Sequence, residues 1–260
     1  MVGRTADQPV SVPVLGAAWL TLTFVHWSVP TAAVQALLPP GLVVDEWQGS
    51  AWVSLTPFVM ADMRPLGLGS PPEASGRTGR INRVLHEVSS SPETNLRTYV
   101  RGPDGRDGIW FFSLDIGART LAVALRGLSG APYRYGRLSV EPMHDVVTYA
   151  GSRATGEPSY DAVVRPGDPL EPSELDTWLT GRWRAYTTHL GQLLVFPVEH
   201  EPWPLRDARL DTLEEDLAQR AGLPELGEPS LVHYSEGVRR VRLGLPRLLP
   251  RTARREPSQR

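Results

Sequence analysis

Asn95, Arg97 and Tyr99 occupy alternate positions of a short apolar stretch. In an extended chain their side chains share one face, while Leu96, Thr98 and Val100 share the other. An amide, a guanidinium and a phenol gathered on one face are the donors that would hold a carboxylate or an enolate-like oxygen, because the planar Arg fork matches a two-oxygen anion. Ile109 to Asp115 reads as the return strand of a hairpin. A loop centred on Asp104, Gly105 and Arg106 sets Arg97 opposite Ser113, Tyr99 opposite Phe111 and Asn95 opposite Asp115. A strict two-residue Asp-Gly turn would put Arg97 across from Phe112 instead. The first register is the expected one, since it segregates polar from apolar side chains and leaves Trp110, Phe112 and Leu114 on the dry face.

Facing bulk water, Tyr99 and Phe111 would gain nothing; sealed in a core, an unpaired guanidinium would be strongly destabilising. A cavity reconciles the two. The expected ligand-binding set is therefore Arg97, Asn95, Tyr99, Phe111, Ser113 and Asp115, with Arg97 pairing with Asp115 and aiming its remaining donors at the ligand. A structural Arg97–Asp115 pair inside a ligand-free barrel is the competing reading. His26 ends a strand lined by Leu20, Leu22 and Phe24, which suits a hydrogen-bonded wall residue; if the site is catalytic, His26 or Asp115 is the candidate general acid or base.

Other chemistries are excluded by composition. The chain has no cysteine, hence no disulfide, thiolate nucleophile or cysteine-ligated metal. It has no lysine either: all 27 Lys+Arg residues are arginine, which cannot be deprotonated in a protein. The six histidines show no HxH or HExxH spacing, and no GxSxG, P-loop or GxGxxG motif stands in its required context, so neither a metal nor a cofactor is expected. With a formal net charge of -2 there is no field favouring nucleic acid or an anionic membrane. The apolar run Val14 to Val25 is too short to span a bilayer, and a cytoplasmic protein is expected.

The elements that must position this face follow from pattern. Val14 to His26 alternates as a strand, and Pro30 opens a short helix that Pro39, Pro40 and Gly41 end. Gly41 to Met60 reads as a hairpin turning near Gln48 and Gly49, and 64–80, rich in glycine and proline, as a long loop. Further strands are expected at 84–88, 96–100, 109–115, 120–125, 134–140, 145–150, 193–199 and 231–241. Helices are expected from Ser173 to Gly191 and from Leu210 to Ala221, each with an apolar stripe at helical spacing. Trp178, Trp183 and Trp203 read as core and pocket wall.

Several residues, taken in order, resemble the YqjF-like proteins of unknown function, which are grouped with the acetoacetate decarboxylase-like fold. They are Trp19, Phe24, His26 and Trp27; "LLPPG"; Asp45, Gly49, Ala51 and Trp52; Pro57 and Phe58; "NLRTYV" and "GIWFFSLD"; Pro132 and Tyr133; "WRAYT"; "HEPWPL"; and "VHYSEGV". The resemblance spans roughly 14 to 245. It implies an α+β fold, with an antiparallel sheet curled into a cone or barrel around a small-molecule cavity and a few flanking helices. Decarboxylases of that superfamily form a Schiff base on a lysine. That step does not carry over, because a Schiff base needs a primary amine and this chain has none beyond its N-terminus.

The expected organisation is a flexible N-terminus (1–13), one domain (14–245) and a disordered arginine-rich tail (246–260). The expected partner is a small anionic molecule, carboxylate or keto-acid-like, with a homo-oligomer also possible. The alternatives are a non-imine lyase, hydratase or isomerase acting on a carbonyl compound, and a ligand-free scaffold that binds through the 64–80 loop or the tail.

Overall fold

In the computed structural model, which describes residues 2–66 and 90–250, alternation of large apolar and small residues extends β1 over Pro13–Val29. Pro30 opens α1 (Thr31–Gln35), and β2 (Val43–Val44), β3 (Ala51–Pro65), β4 (Ser90–Arg101) and β5 (Asp107–Ile116) follow. After α2 (Arg119–Ser129) come β6 (Tyr133–Met143), β7 (Val146–Arg153) and β8 (Pro158–Pro169). The chain continues through α3 (Glu174–Thr180), β9 (Arg184–His189), β10 (Gln192–Glu199), β11 (Leu205–Glu215), α4 (Leu217–Arg220), β12 (Leu231–Gly244) and β13 (Arg247–Leu248). No helix of the described residues is long and apolar enough to cross a membrane.

The strands form one branched sheet. The β5-β6-β7-β8-β11-β12-β1-β3-β4 wall closes on itself through β4 and β5 into a nine-stranded barrel. A second path leaves β5 at its other end: Ile109 and Trp110 pair parallel with β9, whereas Leu114 to Ile116 pair parallel with β6. β12 divides in the same way, pairing with β11 through His233 to Ser235 and with β10 through Arg242 and Leu243. The β9–β10 ribbon thus bridges β5 and β12 and encloses a second compartment against the back of β1, β3, β4, β5 and β12. The first compartment is filled by Val25, Trp27, Leu55, Leu96, Tyr149, Tyr160 and Val164. The second is hollow.

Several expected elements change. Residues 120–125 are helical, not a strand: Leu121, Val123 and Leu125 alternate, but Ala122 is the buried position and Gly130, at φ +68, closes α2 by donating to the Arg126 carbonyl. The helix from Ser173 ends at Thr180, and the β-branched and aromatic Tyr186 and Thr187 continue as β9. Leu210 to Glu215 belongs to β11; the three-residue spacing of Leu210 and Leu213 that mimics a helix arises where the pairing with β8 slips between Leu210 and Thr212. The turn at Gln48 and Gly49 is present, both with positive φ, but β2 pairs with β4 rather than β3. The strand β8 had no counterpart in the pattern. The strand expected at 84–88, most of the 64–80 loop and residues 251–260 lie outside the described residues.

Ahead of β1, residues 3–10 contact the domain at three points. Asp7 pairs with the buried Arg184, Val10 N–H donates to Glu199 at 2.9 Å, and Trp183 Nε1 donates to the Gly3 carbonyl at 3.1 Å.

Candidate functional site

β4 presents Glu93, Asn95 and Arg97 toward the second compartment, a cavity of about 580 Å³. Its opposite face, through Leu96, joins the filled core. Period-two alternation therefore sends one set of β4 side chains into the solid core and the other into the hollow. Six buried polar atoms on lining residues have no hydrogen-bond partner among the described residues: Trp19 Nε1, Thr56 Oγ1, Glu93 Oε2, Asn95 Oδ1, Arg97 Nε and Arg182 Nη2. Buried polar groups are ordinarily satisfied. A cluster of unsatisfied ones around a single hollow marks where a polar molecule fits.

The observed register corrects the expected one. A bulge in β5 opposite Leu96 and Arg97 places Arg97 against Phe111, Tyr99 against Ile109, Leu96 against Ser113, Asn95 against Leu114 and Thr94 against Asp115. The extra residue turns everything after it by one step. Arg97, Asn95 and Phe111 line the cavity as expected. Ser113 and Asp115 do not; Leu114 takes the lining position. Asp115 lies toward Arg153, Arg134 and Asp216, its carboxyl raised above the usual range mainly by burial, and it makes no ion pair with Arg97 among the described residues. Arg97 instead stands 5.1 Å from the Phe24 ring centroid.

Tyr99 shares the Arg97 face but packs beneath Trp178, outside the lining set, where it joins a buried relay. Tyr99 Oη lies 2.6 Å from Ser54 Oγ, Ser54 Oγ 2.5 Å from His26 Nδ1, His26 Nε2 3.3 Å from His233 Nδ1, and His233 Nε2 2.9 Å from Asp176 Oδ1. Donation in one direction, from the phenol to the carboxylate, satisfies every member. Burial first, then His233 and Arg97, holds the His26 imidazole well below its ordinary pKa. Asp176, whose other oxygen accepts the Ser173 N–H in a capping box, is lowered to about 2, chiefly by the His233 hydrogen bond. His26 is hydrogen-bonded within this relay and does not line the cavity. Beside it Arg182 pairs with Asp45 at 2.7 Å and stacks on Trp178 at 4.2 Å.

The titratable groups that do reach the cavity are Glu93, Tyr133 and His200. Burial raises the Glu93 carboxyl to about 8, so it is mostly protonated at neutral pH and is no counter-ion for Arg97. Tyr133 is pushed well above its ordinary value by burial and by Glu93. His200 is lowered to about 4, mainly by burial; its Nδ1–H donates to the Glu201 carbonyl at 2.6 Å, and Trp19, Trp183 and Trp203 surround its ring. Glu93 continues the Asn95–Arg97 alternation by one more step, a signal present in the sequence. His200 sits in an irregular segment with no periodicity to mark it. No group of three His, Cys, Asp or Glu residues that could hold a metal ion occurs among the described residues.

The sequence model of the DUF2071 family, described as an uncharacterized conserved protein, matches residues 16–239. The uncharacterized protein YqjF of Bacillus subtilis is 31% identical over 244 residues, covering 91% of this chain and 95% of that one. Among solved structures, acetoacetate decarboxylase from Legionella pneumophila superposes with a TM-score of 0.62 at 12% identity, over 94% of this chain and 92% of that one. The enduracididine biosynthesis enzyme MppR complexed with pyruvate gives 0.59 at 15% identity, over 94% and 93%. At these identities the two structures establish the acetoacetate decarboxylase-like fold.

Proposed function

The chain belongs to the DUF2071 family, and on that premise we propose that its hollow compartment binds a small carboxylate or keto-acid-class molecule through Arg97, without Schiff-base chemistry. The observation that carries this reading is the buried guanidinium of Arg97, with an unpartnered Nε and no carboxylate in contact among the described residues. An uncompensated buried cation is strongly destabilising, and a carboxylate entering the cavity relieves that cost while accepting the free N–H groups. Asn95 and Thr56, paired across β4 and β3, supply further polar partners. A structural neighbour was solved with pyruvate, which agrees with this ligand class. The Schiff-base route that the resemblance implies for the superfamily's decarboxylases is closed to this chain's side chains, which include no lysine.

Glu93 favours a second reading, in which the bound molecule is also turned over. A neutral carboxylic acid titrating near 8 can donate a proton to a carbonyl or enolate oxygen held by Arg97, as a non-imine lyase, hydratase or isomerase requires. Thermal-shift screening of small carboxylic and keto acids against wild type and Arg97→Ala tests the first reading. Stabilisation confined to wild type is expected; stabilisation unchanged in Arg97→Ala, or none by any acid, rejects it. Solvent deuterium exchange at the carbon next to the keto group of a bound keto acid, lost in Glu93→Gln, is the sign of turnover.

A further inference from the structure

From the shape and polarity of the cavity we infer that the ligand is an amphipathic acid, a carboxylate joined to an extended apolar body. This rests on the Arg97 reading above and deepens it. The strand register gives the cavity an axis. Arg97 lies level with Ser54, Asn95 with Thr56 and Glu93 with Phe58; farther along, Met60 pairs with Trp19 and Pro65 with Leu15. From Ser54 to Pro65 the wall runs about 36 Å of strand at roughly 3.3 Å per residue. The charged and amide groups occupy the Ser54–Phe58 end. Beyond it the β1–β3–β12 wall offers Met60, Trp19, Leu15, Leu243, Leu245 and Pro65, where the Trp19 indole N–H is the one polar side-chain group of the six. From the side of β9 and β6, α2 adds Leu125 and Leu128 to the lining beside Ser129 and Thr187, and the exposed Leu128 (77%) and Leu245 (52%) mark the mouth.

Size points the same way. A cavity of about 580 Å³ lies within the range that takes drug-sized ligands, and at about 30 Å³ per water it equals roughly 19 water-sized units. A keto acid as small as pyruvate would leave most of that space, and nearly all of its apolar wall, in contact with water. An acid whose head group meets Arg97 and whose chain follows the Trp19–Met60 wall toward the mouth covers both.

The test is calorimetric titration of the full chain with straight-chain carboxylates from acetate to dodecanoate, with 1-octanol as the uncharged match of octanoate. The variants are Arg97→Gln and Leu128→Glu, the latter at an exposed position, with thermal denaturation of each to show that it is folded. Affinity is expected to rise roughly fourfold per methylene until the chain reaches the mouth. Arg97→Gln weakens every acid at least tenfold, whereas Leu128→Glu weakens decanoate and spares butanoate. Equal affinity for short and long acids, still dependent on Arg97, overturns the amphipathic inference and leaves the anion reading standing. Octanol binding as tightly as octanoate, with no effect of Arg97→Gln, overturns the acid head group and with it both statements. No binding by any member also overturns both.

Discussion

Among the described residues the Arg97 guanidinium faces the Phe24 ring at 5.1 Å rather than a carboxylate, although Asp115 lies on the neighbouring strand. A cation over an aromatic face gains about 0.5–2 kcal/mol, far less than full desolvation of a charge removes. Arg97 therefore destabilises the empty protein. Arg97→Met, which keeps the apolar stem, is expected to stabilise the ligand-free chain by about 1–3 kcal/mol while abolishing anion binding. Thermal denaturation without ligand, beside titration with a carboxylate, measures both effects; a less stable variant means Arg97 has a partner in the folded state.

Glu93 gives a pH dependence of definite sign. Its folded-state pKa, about 8, exceeds the ordinary 4.5, so the native state retains a proton that the unfolded chain releases. Its contribution is fully present below pH 4.5 and is lost as pH rises to about 8, on the order of a few kcal/mol. Glu93→Gln is expected to flatten that fall, which denaturant titrations at pH 5, 7 and 9 would reveal. Above pH 8 the ionised Glu93 also repels an anion, so wild-type affinity for a carboxylate drops there and that of Glu93→Gln does not.

Asp176 links helix α3 to the histidine relay, accepting from His233 and from the Ser173 backbone. Its carboxyl is depressed to about 2, so its stabilisation is present above pH 3.8 and is lost as pH falls toward 2. Asp176→Ala removes the cap and the charged hydrogen bond together, and a loss of about 2–4 kcal/mol is expected in urea unfolding at pH 7. A loss below 1 kcal/mol would show the relay to be dispensable.

Gly237 allows β12 to pass against β1 where Trp19 enters the cavity wall. Its φ is +113, and a Cβ there would overlap the Trp19 carbonyl oxygen. Gly237→Ala is expected to cost at least about 2 kcal/mol, through strain and displacement of the β1 backbone. Unfolding midpoints compare it with the wild type.

The polar face of β4 was legible because alternation is a local property: Asn95 and Arg97 point where their spacing says. Ser113 and Asp115 were assigned to the wrong face because β5 skips one residue opposite Leu96 and Arg97, a bulge that local alternation does not announce. Leu210 and Leu213 misled for the same kind of reason, a bulge imitating helical spacing. A cavity beside Arg97 was expected from the β4 pattern, but its walls could not be read from it, since they depend on the β9–β10 ribbon bridging β5 and β12. The barrel was legible only through its resemblance to a known fold. His200, held by a backbone carbonyl in an irregular segment, carried no local mark.

The most direct measurement is a crystal structure of the protein grown with octanoate. The account requires carboxylate oxygens about 2.7–2.9 Å from the Arg97 guanidinium nitrogens and the alkyl chain running past Trp19 and Met60 toward Leu128. A carboxylate seated away from Arg97, or an empty compartment at saturating ligand, would contradict it.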